Sequence, residues 1–95
     1  MWYILDENNK PVESSTTEYY MWEEENPTKR IVKQYTIGDI RISTVFLGLD
    51  HSYNSDKPIL WETMIFGGKQ DQYQERYSSY EDALIGHQKA LDLVK

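Results

Sequence analysis

Ile31-Val-Lys-Gln-Tyr-Thr-Ile-Gly-Asp-Ile-Arg-Ile-Ser-Thr-Val-Phe-Leu47 is the stretch that decides the fold. Two runs rich in β-branched and aromatic residues, Ile31 to Ile37 and Ile40 to Leu47, flank the dipeptide Gly38-Asp39. Glycine at the first of two loop positions suits a type II′ turn, whose twist matches that of the strands it joins. The stretch therefore predicts a β-hairpin. Along its second strand, alternation sends Ile40, Ile42, Thr44 and Phe46 to one face and Arg41, Ser43, Val45 and Leu47 to the other.

Working outward, Gly48 to Pro58 reads as a long polar loop carrying the run His51-Ser52-Tyr53-Asn54-Ser55-Asp56. A third strand, Ile59 to Phe66, is closed by Gly67-Gly68. A fourth, Gln72 to Tyr77, sets Tyr73, Glu75 and Tyr77 against Gln74 and Arg76. Ser78 and Ser79 are N-cap candidates for a last helix from about Tyr80 to Val94, with Glu81 and Asp82 suited to the positive end of its dipole. Its expected buried stripe is Tyr80, Ala83, Leu84, His87, Leu91 and Val94. Upstream, Trp2 to Leu5 reads as a short strand followed by a turn through Pro11. Ser15-Thr16-Thr17-Glu18 is a capping box. The helix it opens, Thr16 to Glu25, stops at Asn26-Pro27 because proline disfavours helical geometry in the preceding residue. The order β-α-β-β-β-β-α predicts a single α+β domain over residues 1–95. Its antiparallel sheet has four to five strands, with two helices packed on it.

Composition narrows the function. Thirteen aromatic residues in 95 offset an apolar fraction of only 39%, so the core is expected to be built on rings. The chain contains no cysteine, which removes disulfides, thiolate metal sites and a cysteine nucleophile. The N-terminus lacks the basic and long apolar regions of a signal peptide, and no run approaches the roughly 20 residues of a membrane span. A cytosolic protein without a membrane partner is expected. The formal charge of −6 sits entirely in the first 26 residues, which hold seven acids against Lys10 alone. Duplex nucleic acid is a poor partner for such a chain, because binding it requires a basic surface.

Three places carry polar groups beyond the needs of a scaffold. Asp50-His51, where a strand leaves the sheet, is either a proton-handling pair or a loop cap beside an exposed imidazole. Glu62 shares a strand face with Leu60, Met64 and Phe66, where a carboxylate is costly unless partnered. Both faces of that strand read as apolar, so it is expected to be central, covered on both sides, and to bury Glu62 against Arg41 or Arg76. His87 falls in the apolar stripe of the last helix, either as a core histidine or as a group overhanging the sheet near Glu62. Arg41, Asp50, His51, Trp61, Glu62, Arg76 and His87 together form the candidate ligand-binding set. No metal-ligand spacing, phosphate loop or nucleophile elbow occurs, so no metal or cofactor is expected.

The segments Arg41-Ile-Ser-Thr-Val-Phe-Leu-Gly-Leu-Asp-His51, Pro58-Ile-Leu-Trp-Glu-Thr-Met-Ile-Phe-Gly-Gly68 and Arg76-Tyr-Ser-Ser-Tyr-Glu-Asp-Ala-Leu-Ile-Gly-His87 resemble stretches of a family of small, functionally uncharacterised bacteriophage and prophage proteins. Trp61 departs from the phenylalanine of that pattern and keeps an aromatic. The resemblance implies a phage accessory protein in the host cytoplasm, and it carries no catalytic roles with it. With the candidate set, it leads to an expected function: sequestering a small nucleotide-type signal of host defence without catalysis. Aromatic faces would stack on the base, arginines take the phosphate and a carboxylate the ribose. The alternative is an inhibitor that binds a host defence protein through the acidic helix or a sheet edge. A small acid–base hydrolase is a further alternative. The small core and exposed strand add the expectation of a homo-oligomer.

Overall fold

The computed structural model describes residues 1–52 and 57–95. Its elements are β1 (Trp2–Leu5), β2 (Pro11–Ser14), α1 (Thr16–Glu25), β3 (Ile31–Ile37), β4 (Ile40–Phe46), β5 (Trp61–Phe66), β6 (Gln74–Tyr77) and α2 (Tyr80–Val94). The α+β architecture expected from the sequence is present, with an antiparallel meander β3-β4-β5-β6 as its main sheet.

The β3–β4 hairpin closes with Ile37 paired to Ile40. Gly38 has φ 57° and Asp39 is not among the residues of positive φ. That is the type II′ pattern, since a type I′ turn needs positive φ at both positions. β6 begins at Gln74 rather than Gln72, because Gln72 adopts φ 71° and breaks the extended run.

The N-terminal part holds one strand more than expected. Asp6 organises a tight turn: its Oδ1 accepts the N–H groups of Asn8 and Lys10 at 2.8 and 2.9 Å, and Asn9 takes φ 62°. The reversal pairs Pro11–Ser14 with Trp2–Leu5 as a separate two-stranded sheet. α1 packs on this hairpin. Its capping box forms as predicted, with the Glu18 N–H donating to Ser15 Oγ at 3.1 Å and the Ser15 N–H donating to Glu18 Oε1 at 2.9 Å.

Aromatic rings join the two sheets. Successive centroids run from Trp2 to Tyr19 at 4.5 Å, Tyr19 to Trp22 at 6.0 Å, Trp22 to Phe46 at 5.8 Å and Phe46 to Trp61 at 5.4 Å. Burial and a hydrogen bond to Glu23 push the Tyr19 hydroxyl up to about 12. Backbone bonds reinforce the junction, from the Tyr3 N–H to the Gly48 carbonyl at 2.7 Å and from the Asp50 N–H to the Met1 carbonyl at 3.0 Å.

α2 covers one face of the main sheet. There Ile42, Thr44 and Phe46 of β4 and Trp61, Thr63 and Ile65 of β5 are buried, as the alternation in β4 predicts. On the helix, Ala83, Gly86, His87 and Ala90 are buried, while Tyr80, Leu84, Leu91 and Val94 flank them half-buried. Small residues let the helix lie close: a Cβ at Gly86 would fall 2.0 Å from the Tyr77 hydroxyl oxygen.

The expectation that β5 is covered on both sides is corrected. No described element lies over the face that carries Glu62. The alternation is interrupted because Leu60 and Trp61 are neighbours and both fully buried. Leu60 precedes the strand, and its carbonyl and N–H bond to Leu47 and Tyr77. The inward set therefore starts afresh at Trp61.

Candidate functional site

Antiparallel register brings three of the seven expected residues onto the uncovered face. Glu62 of β5 pairs across the strands with Arg76 of β6, and Arg41 of β4 pairs with Phe66 of β5. Glu62 Oε2 accepts from Arg76 Nε at 2.9 Å and from the Gln74 side-chain amide. The partner of Glu62 is thus Arg76 and not Arg41. Its side chain retains 12% exposure, so the carboxylate is half-sheltered rather than fully buried. Arg41 instead lies over the Phe66 ring, 4.8 Å from its centroid. Arg41, Ser43, Val45, Glu62, Met64 and Phe66 line a shallow depression of about 180 Å³.

The other expected residues lie elsewhere. Trp61 is 0% exposed behind the sheet and presents no ring face to a ligand. His87 does not overhang the sheet near Glu62. It sits on the opposite, helix-covered face, where its Nδ1 is 2.7 Å from Thr44 Oγ1, itself 2.6 Å from Thr63 Oγ1. Burial, and secondarily the Lys33 charge, hold its pKa below the ordinary histidine value, so the imidazole is neutral near pH 7. The plainer reading of His87, a satisfied core histidine, is the one the geometry gives.

Asp50 likewise serves the backbone. Its Oδ1 accepts from the Ser52 N–H at 2.8 Å and the Ile59 N–H at 2.9 Å, clasping both ends of the loop. Burial pushes its carboxyl up, but the Ile59 and Ser52 hydrogen bonds outweigh it and hold the group below its usual value. His51 is exposed and uses its backbone N–H on the Ile59 carbonyl at 3.0 Å. The remainder of the polar run, residues 53–56, lies outside the described residues. The seven residues therefore occupy three places and form no single pocket.

A larger cleft opens between β6 and α2. It has a volume of about 390 Å³, and its lining includes Lys57, Ile59, Glu75, Tyr77, Asp82 and Lys89, with Arg76 and Ile85 beside them. Of these only Arg76 belonged to the expected set. The cleft had a legible signal: Asp82, Ile85, Gly86 and Lys89 recur at i, i+3, i+4 and i+7, a second stripe beside the buried one. Phe66 was legible as a residue of the Glu62 face, but its meeting with Arg41 follows from the pairing of β4 with β5, which no local pattern states. Among the described residues no three His, Asp or Glu side chains converge on a point. No described helix is long and apolar enough to cross a membrane. No family model, curated protein or solved structure matches the chain.

Proposed function

We propose that the protein is a binding protein that holds a small anionic ligand, of nucleotide type, in the cleft between β6 and α2 without transforming it. One observation carries the reading: a cleft of about 390 Å³ is lined by Lys57 and Lys89, beside the edge strand that holds Arg76 in its pair with Glu62, and by the acids Glu75 and Asp82. That volume is within the ~300–1,000 Å³ typical of small-molecule sites. Cations at the wall suit phosphate, Tyr77 with Ile59 and Ile85 offers an apolar wall for a base, and Glu75 and Asp82 offer acceptors for hydroxyl groups. The groups expected to handle protons are committed elsewhere: Asp50 to its loop, Glu62 to Arg76 and Gln74, and His87 to Thr44. Glu62 and His87, on opposite faces, do not form the acid–base pair a hydrolase of this kind requires. In a phage accessory protein, the function implied by the resemblance, such binding would withdraw a nucleotide signal from host defence.

Calorimetric titration with mono-, cyclic and dinucleotides tests the reading. At least one should bind, Lys89→Glu should weaken it at least tenfold, and Arg41→Ala should leave it unchanged. Heat denaturation should then release the nucleotide intact. Silence from every nucleotide, or recovery of a cleaved product, sinks the proposal.

A second reading, the protein-directed inhibitor, has its own observation. α1 carries Tyr20 and Met21, 55% and 57% exposed, one turn before Glu24 and Glu25. Large apolar groups set among acids suit a partner surface that is basic and partly apolar. Charge reversal of Glu24 and Glu25 would abolish capture of such a host protein and spare nucleotide binding.

A further inference from the structure

We propose that the uncovered face of the main sheet carries a second binding site, centred on Ser43, that takes a compact aromatic carboxylate. The site follows from the register. Arg41, Ser43 and Val45 of β4 stand opposite Phe66, Met64 and Glu62 of β5, and Gln34 of β3 stands opposite Ser43. All of these side chains rise from one face, because residues two apart on a strand point the same way and direct cross-strand partners share a side. Ser43 is the shortest of them and lies at the centre, so its larger neighbours wall it in. It is only 9% exposed, although no described element covers this face. The depression of about 180 Å³ is the gap that its short side chain leaves.

The lining specifies the occupant. Arg41 rests on the Phe66 ring, yet among the described residues no carboxylate pairs with it and no hydrogen bond uses its N–H groups. A guanidinium steadied on a ring, with its donors idle, suits a planar anion, and a carboxylate matches its fork. Ser43 Oγ accepts from the Gln34 side-chain amide at 3.2 Å, and its own proton has no acceptor among the described residues. A carboxylate oxygen beside Arg41 would supply that acceptor. Val45, Met64 and Phe66 make most of the remaining wall apolar. Glu62 does not repel the ligand, because Arg76 and Gln74 already donate to it. It also stands about 13 Å along β5 from Phe66, at the end away from Arg41. The depression is therefore cationic at one end and apolar in the middle. Size completes the choice. A cavity of about 150 Å³ holds a benzene ring, so a single ring fits here and a nucleotide does not. The β6–α2 cleft lies on the other side of the sheet, so the two sites stand or fall separately.

Titration with benzoate, followed through the methyl NMR signals of the protein, tests the site. The Met64 and Val45 methyls should shift and saturate. Acetate, which has the charge without the ring, and benzyl alcohol, which has the ring without the charge, should each bind at least tenfold more weakly. Ser43→Val fills the depression with a side chain suited to a strand and should abolish the shifts. Arg41 is exposed, so Arg41→Gln leaves the core intact, and it should erase the preference for benzoate over benzyl alcohol. Shifts confined to other methyls, no shift at all, equal binding of benzyl alcohol, or undiminished binding by either variant would each overturn the proposal.

Discussion

His87 is a buried imidazole whose Nδ1 shares the hydroxyl of Thr44, which in turn meets Thr63. This short polar chain spans the seam between α2 and the centre of the sheet. Because burial depresses the folded-state pKa, the unfolded chain takes up the proton first as pH falls below about 6.5. Stability contributed by neutral His87 is therefore complete above that pH and declines below it, down to the lowered folded value. Urea midpoints at pH 7.5 and 5.5 should differ in this direction, and His87→Leu should flatten the difference. An unchanged pH slope in the variant would show that other groups produce it. Trp61 poses the opposite case, a buried Nε1 with no hydrogen-bond partner among the described residues. An unpaired buried donor costs about 1–3 kcal/mol, so Trp61→Phe removes that penalty while losing ring contacts. We expect a net change within about 1 kcal/mol in urea unfolding, against a loss of about 3–5 kcal/mol for Trp61→Ala.

Among the elements, α2 shows how packing overrules propensity. Gly86 is mid-helix, where alanine would ordinarily add about 1 kcal/mol. Here the added methyl collides with the Tyr77 ring, 2.0 Å from its hydroxyl oxygen and 2.4 Å from a ring carbon. Gly86→Ala should instead lose about 1–3 kcal/mol in thermal or urea unfolding, and a gain would mean that Tyr77 moves aside freely. The elements legible in the sequence were those written in local chemistry. Gly38-Asp39 announces the hairpin, Ser15 with Glu18 announces α1, and Pro27 ends it. β2 was not legible, because its pairing hangs on a turn built by one carboxylate, Asp6, over the next four residues. Nor was the face of β5. Which side α2 covers is decided by the whole sheet, and the buried neighbours Leu60 and Trp61 disturb the alternation that would reveal it. Hence Arg41, Glu62 and Arg76 share one face of the sheet, while Trp61 and His87 lie across a layer of backbone from them.

The molecule as a whole is two layers riveted by rings. The N-terminal layer, β1, β2 and α1, holds the entire net charge of the chain, and the main sheet with α2 is balanced. Trp22 bridges the layers, touching Tyr19 on one side and Phe46 on the other. Trp22→Ala should cost about 2–4 kcal/mol, and hydrogen exchange should show β1 and β2 losing protection before β4 and β5 do. Uniform loss across both layers would mean that they unfold as one unit. The same ring path has an optical meaning. Light absorbed at Tyr19 lies within easy transfer distance of Trp2 and Trp22, and Trp61 sits at the dry end of the series. Tyr19 keeps both acceptors within its own layer and should stay quenched when the layers part, whereas Trp22 emission should shift to the red as its contact with Phe46 opens to water. The chain thus carries, without any label, its own reporter of whether its two halves are together.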